Sequence, residues 1–157
     1  MAIKNQKAKE MWEKYLRTIG DEISSTDKVV TAWYFCDNQT SALKLADLVK
    51  TGIKRGTSSL HYWYQIAKEP VPRIGEYSII TDYFGEPQCI VKTTKVEIKS
   101  FKNITEEFAI LEGEGDKSLE YWRECHSRFF TRELKEIGKD FSEDMEIICE
   151  EFELVYK

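Results

Sequence analysis

The sequence predicts an α+β domain, a curved and barrel-like mixed β-sheet with flanking helices, preceded by an amphipathic N-terminal helix. Three observations predict it. Apolar residues recur at helical spacing in three separate stretches, and segments rich in β-branched and aromatic residues lie between them. The two kinds of segment interleave without the regular strand–helix–strand repetition of a parallel sheet. A chain of 157 residues suits one such unit with a sizeable core. It divides into a helix with a polar linker over residues 1–28 and a domain over residues 29–157. It contains no internal repeat and no low-complexity tract.

Taken in order, Ala8, Met11, Trp12, Tyr15, Leu16 and Ile19 form the first helical stripe, and Gly20 ends it. Residues 21–27 are a polar linker, and residues 29–35 have strand composition. Residues 40–51 carry Ala42, Leu45, Ala46, Leu48 and Val49 on one helical face, with Gly52 where a helix C-terminal glycine belongs. Residues 59–66 are rich in aromatics, and Pro70-Val71-Pro72 and Gly75 then break the chain. Residues 77–83 and 88–101 read as two strands joined around Phe84-Gly85-Glu86-Pro87. The mixed alternation of the second predicts a bulge or twist at a position left open. Thr105 begins a short helix, and Asp116 or Ser118 caps a longer one whose stripe runs from Leu119 through Trp122, His126, Phe129, Phe130 and Leu134 to Ile137, with Gly138 ending it. Phe152, Leu154 and Tyr156 alternate with acids as a half-buried strand.

Composition narrows the function. A net charge of -5 argues against coating duplex DNA through broad phosphate neutralisation. Lys50, Lys54 and Arg55 nevertheless cluster around one turn, which suits a nucleotide or a short single strand. No apolar run reaches membrane-spanning length, and the first seven residues lack the apolar core of a signal peptide, so a cytoplasmic protein with no membrane partner is expected. Cys36, Cys89, Cys125 and Cys149 are far apart and form neither a zinc pair nor a disulfide framework, which reads as reduced, buried thiols.

The stretch Gly52-Ile53-Lys54-Arg55-Gly56-Thr57-Ser58-Ser59-Leu60 concentrates chemistry at a helix end. Lys54 held in a pocket can serve as a base or stabilise an oxyanion, and Thr57 can act as a nucleophile; equally, both suit a solvated turn beside a helix dipole. Glu112, Glu114 and Asp116, separated by Gly113 and Gly115, can supply a general acid or base, or can simply flank a helix start. Their spacing misses the calcium-loop pattern and no histidine supplements them in the sequence, so no metal and no cofactor are expected. His126 falls on its helix's apolar stripe, where a hydrogen-bonded core role is favoured over catalysis.

Trp33-Tyr34-Phe35-Cys36-Asp37, Ala46-Asp47-Leu48, the Gly52 turn, Pro72-Arg73-Ile74-Gly75-Glu76, Ile80 to Pro87, Thr93-Thr94, Glu112 to Asp116, and Leu119 to His126 with Phe129-Phe130 occur in an order that resembles the ASCH domain family of the PUA-like superfamily. The resemblance runs from about Val30 to the C-terminus. It implies a PUA-like barrel and links to RNA binding and processing, with nuclease action on single-stranded RNA for part of the group. Smaller members are amidohydrolases that deacetylate N4-acetylcytidine through a lysine, a threonine and a glutamate. These match Lys54, Thr57 and Glu112, with Glu114 as the rival acid. The arginine that closes their turn motif is here Ser59 or Leu60. The expectation is therefore a cleft for a nucleotide or single-stranded RNA, catalytic through Lys54, Thr57 and Glu112 if the chain is a hydrolase. Trp33, Phe35, Asp37, Arg55, Ser59, Glu114 and Arg123 would bind the substrate. The competing expectation is a non-catalytic adaptor that docks through its N-terminal helix; any protein partner stays open.

Overall fold

The computed structural model describes residues 3–157; the first two residues of the expected N-terminal segment lie outside them. Helix α1 (Gln6–Thr18) starts where the Asn5 side chain accepts from the Ala8 amide, and it buries Ala8, Trp12, Tyr15 and Leu16. Strand β1 (Val30–Trp33) leads into α2 (Gln39–Lys50), capped by Asn38. Strand β2 (Gly56–Leu60) runs directly into α3 (His61–Ala67). The hairpin of β3 (Tyr77–Thr81) and β4 (Pro87–Ser100) follows, then a short 3-10 turn over Phe101–Asn103. Helices α4 (Glu106–Glu112) and α5 (Leu119–Lys135) precede the last strand, β5 (Glu146–Tyr156).

The five strands make one curled mixed sheet in the order β1-β3-β4-β5-β2, with β1 and β3 parallel and every other pair antiparallel. The irregularity expected in the long strand falls at Thr94, an extra residue of β4 between Thr93 and Lys95, and a second lies in β5, where Val155 is extra opposite Ile90 and Val91; both bend the strands and curl the sheet. Helix α1 covers one region of the sheet with Val30, Tyr77, Ile79 and Ile90, and α2 covers a second with Phe35, Ile80, Val91 and Phe152. A third apolar cluster joins α4 and α5 to Leu60, Phe101 and Ile147.

Four expectations change. Residues 56–60 are a strand rather than part of the turn, because β5 pairs them from Gly56↔Glu151 to Leu60↔Ile147. Residues 61–67, unassigned by pattern, are helical, since their aromatics pack on one side of the sheet edge. Strand β5 begins at Glu146, well before its alternation becomes visible, because Ile147, Ile148 and Cys149 are all buried. Cys89 and Cys149 are buried, but Cys36 and Cys125 are half-buried beside the cavity described below.

The apolar face of α1 is thus spent inside the molecule, with Trp12 fully buried against Tyr15 and Tyr77. Trp12→Ala is expected to lower stability by about 3–5 kcal/mol in urea unfolding. A loss below about 1 kcal/mol would mean the helix is an appendage.

Candidate active site

Lys54 owes its position to backbone geometry. Helix α2 ends in a motif in which the Gly52 amide bonds Val49 O at 3.0 Å and the Ile53 amide bonds Leu48 O at 2.9 Å, with Gly52 at φ 79°. The Arg55 amide then donates to Leu111 O at 2.7 Å and Arg55 O accepts from the Phe152 amide at 3.0 Å. The turn is clamped between α4 and β5. Gly113, at φ 69° after α4, lies so close to Ile53 that a Cβ there would fall 2.4 Å from the Ile53 carbonyl oxygen. Two helix ends therefore meet, one carrying Lys54 and the other Glu112.

The Lys54 side chain is 1% exposed. Its Nζ lies 3.1 Å from Glu112 Oε1 and 3.0 Å from Glu114 Oε2, and 5.1 Å from the Phe35 ring centroid. Glu112 is equally buried, and its Oε2 accepts from Ser58 Oγ at 2.8 Å and from Trp122 Nε1. His126 Nε2 is 3.3 Å from the same oxygen, while its Nδ1 donates to Trp122 O at 2.8 Å. Both ring nitrogens face acceptors, which favours the imidazolium. Burial works against the charge of all three groups, yet their mutual attraction outweighs it. Glu112 is held well below the ordinary carboxylate range by Lys54 and then His126. Glu112 likewise holds His126, and with Glu114 it holds Lys54, above their ordinary values.

These groups open on a cavity of about 270 Å³ that Thr57, Ser58, Cys125, Arg128 and Arg132 also line. Phe35, Cys36, Thr57, Ser58 and Phe129 are shared with a wider neighbour of about 540 Å³, lined further by Trp33, Ser59, Trp63, Tyr64 and the carboxyls of Glu133 and Glu150. The two form one cleft. Oxygen and nitrogen atoms of Glu112, Glu114 and His126 lie within 4.8 Å of one another, a set able to hold a metal ion. The Lys54 ammonium already bridges both carboxylates of that set, so their charge is met without one.

The expected residues divide accordingly. Lys54, Thr57, Glu112 and Glu114 converge, and Phe35, Trp33 and Ser59 line the cleft. Asp37 stands at the exposed rim, its Oδ2 3.3 Å from the Arg132 guanidinium. Arg55 lines neither half of the cleft; it lines a separate pocket with Thr94, Glu151 and Leu154. Arg123 is also outside, on the exposed side of α5 with its Nη2 on Lys102 O. His126 is the larger correction. It is a hydrogen-bonded core residue as expected, but its second nitrogen supplements the acids, a contact that only the packing of α5 creates. Ser58, Trp122 and Glu150 were also missed. Trp122 and His126 are four apart on one helical stripe, and Glu150 shares strand parity with Ile148 and Phe152, so both signals were present in the sequence.

Replacing Glu112 by Gln leaves Lys54 and His126 buried with one carboxylate fewer. It should cost about 3–5 kcal/mol in urea unfolding, whereas Glu114→Gln, on the partly open side, should cost less, since Glu112 stays on Lys54. The pH dependence follows the shifts. The His126 contribution is complete below its unfolded pKa and is lost as pH rises through the raised folded value. The Glu112 contribution is present above the unfolded carboxylate pKa and is lost as pH falls through its depressed value. In Glu112→Gln, the NMR titration midpoint of His126 should fall; an unchanged midpoint would disconnect the two groups.

A family model described as the ASCH domain matches residues 31–156. The chain is similar to the crystal structure of an ASCH domain from Lactobacillus crispatus JV V101, at TM-score 0.91 and 38% identity over 98% of this chain and 96% of that one. It is also similar to protein EF3133 from Enterococcus faecalis V583, at TM-score 0.85 and 34% identity over 96% of this chain and 89% of that one. Hypothetical protein PH0355, at TM-score 0.53 and 20% identity over 80% of this chain and all of that one, shares the fold. No curated protein matches the chain.

Proposed function

We infer that this chain, which belongs to the ASCH domain family, binds a nucleotide or one unpaired residue of single-stranded RNA in the cleft beside Lys54 and hydrolyses a bond there. The observation that carries this reading is a fully buried ammonium whose second carboxylate partner, Glu114, sits on a glycine-flanked loop at the cavity wall. A ligand oxygen arriving at Lys54 can displace Glu114 while Glu112 stays. The aromatic walls of Trp33 and Phe35 suit an unstacked base. With a phosphodiester, Lys54 would stabilise charge on the phosphate while Glu112 keeps it in place, and the displaced Glu114 carboxylate would take the proton of a ribose hydroxyl.

A second reading, amide hydrolysis of an N4-acetylcytidine-type substrate, is favoured by the hydroxyls of Thr57 and Ser58 facing the cavity beside Glu112 and by two carboxylates that repel a phosphate. Displacing Glu114 removes one charge that keeps Lys54 protonated, and burial then lowers its pKa towards that of a base. Thr57 Oγ1 would add to the acetyl carbonyl as its proton passes to Lys54. Lys54, held in place by Glu112, would pass that proton on to the departing amine, and water would release acetate from the acyl-threonine. An adaptor role through α1 has less support, since the sheet covers that helix's apolar face.

Mass spectrometry of a short single-stranded RNA with one N4-acetylcytidine, incubated with wild type and Lys54→Ala, tests both readings. Fragments formed by wild type alone support strand cleavage. Loss of one acetyl mass from the intact strand supports the amidohydrolase. An intact, acetylated strand in both samples would remove hydrolysis of these two bonds from the proposal.

A further inference from the structure

The wider half of the cleft differs in character from the half that holds Lys54. No lysine or arginine lines it, but four glutamates do: Glu69, Glu76, Glu133 and Glu150. Glu150 is 8% exposed, in the middle of β5, where β2 and β4 pair on either side and hold the backbone. Its one hydrogen bond is a long one, 3.4 Å from Thr93 Oγ1 to Oε2, and Oε1 has no protein donor among the described residues. A ligand that covers Glu150 takes its carboxylate oxygens from water, so it must supply N–H donors to offset that loss. The charged groups a phosphate would meet here are all carboxylates, so it belongs outside, towards Lys54, Arg128 and Arg132. Trp33, Phe35 and Trp63 supply flat apolar walls, and about 540 Å³ is ample for a purine nucleoside.

We propose that this cavity is a base pocket for guanine, with the Glu150 carboxylate accepting from two adjacent N–H groups on the base edge. The proposal rests on the nucleotide reading above and adds the identity of the base. A carboxylate offers two parallel acceptors and no donor. Guanine presents N1–H and N2–H side by side as they stand, whereas adenine and cytosine set an acceptor beside their amino group and uracil flanks its N–H with carbonyls. Only guanine meets both oxygens with donors.

The groups around Glu150 fit this selection. Thr93 of β4 touches it, Glu76 precedes β3, Tyr64 belongs to α3 and Glu133 to α5; Glu69 closes the outer side. Burial, with Glu76 adding repulsion against the Thr93 hydrogen bond, pushes the Glu150 carboxyl up to about 7. Glu150 therefore shares a proton near neutrality, and guanine is best tested at pH 8, where the carboxylate dominates.

Isothermal titration of the full chain at pH 8 with guanosine, inosine, adenosine and uridine tests the assignment without any phosphate. Inosine is the sharpest comparison because it lacks just the N2 amino group. Wild type should bind guanosine at least roughly tenfold more tightly than inosine. Glu150→Gln, nearly isosteric and checked for folding by circular dichroism, should reduce that ratio below about twofold, since its amide turns an N–H towards the base. Glu133→Gln, which removes a neighbouring charge from the same cavity, should keep the preference. Equal binding of guanosine and inosine by wild type, or a preference that survives Glu150→Gln, overturns the proposal. Nucleoside binding without base preference would overturn the guanine assignment while leaving the nucleotide reading intact. No binding of any nucleoside or of guanosine 5′-monophosphate would overturn both.

Discussion

An ammonium group withdrawn from water needs compensation worth several kcal/mol, and the burial of Lys54 sets the terms for much of this structure. Its partners are supplied from three elements. Glu112 closes α4, Glu114 begins the loop after it, and His126 on α5 keeps Glu112 ionised from the other side. Ser58 on β2 and Trp122 on α5 occupy the remaining lone pairs of Glu112. Two positive and two negative groups thus balance within one cluster. Moving any of these elements would leave a buried charge unmatched, so the ion set acts as a register mark for how α4, α5 and β2 dock.

The backbone, not the side chains, brings the cluster together. The left-handed glycine after α2 turns the chain sharply enough to aim Lys54 inward, and the Gly113 contact with Ile53 allows the end of α4 to approach within atomic contact. Strand β5 completes the clamp, accepting the turn at Phe152 and pairing β2 along its length. The cleft is then what remains between the curled sheet and α5. One half is governed by a cation and two arginines, the other by unpaired carboxylates and aromatic rings. That polarity gives a ligand a preferred direction, with its anionic end at Lys54 and its N–H-bearing end at Glu150.

Much of this is legible in the sequence. The stripes of α1, α2 and α5, the glycine after α2 and the hairpin of β3 and β4 are local patterns, and local patterns survive in a sequence. The ordered motifs also pointed to Lys54, Thr57, Glu112 and Glu114. The failures share one cause, long-range pairing. β2 looked like a turn because its strand partner lies about ninety residues away, and Arg55 looked like a neighbour of the site because adjacency in sequence says nothing about which way an extended residue faces. His126 was visible as a stripe residue, but the position that makes it an ion partner arises where two helices meet. Glu150 was an acid in an apolar register, a local conflict of the kind that marks functional or strained sites.

The sheet order has a consequence for how the protein comes into being. Among the described residues β5 is the last strand, yet it lies inside the sheet, and β2 has no other strand beside it. During synthesis β2 and the Lys54 turn therefore emerge early and wait for a partner made about ninety residues later. α1 waits as well for part of its packing, since Tyr15 meets Tyr156 near the C-terminus. Translation adds about 5–20 residues per second, so the turn spends seconds in water with its lysine solvated. A nascent chain therefore cannot engage a ligand in the cleft until β5 has left the ribosome and paired with β2.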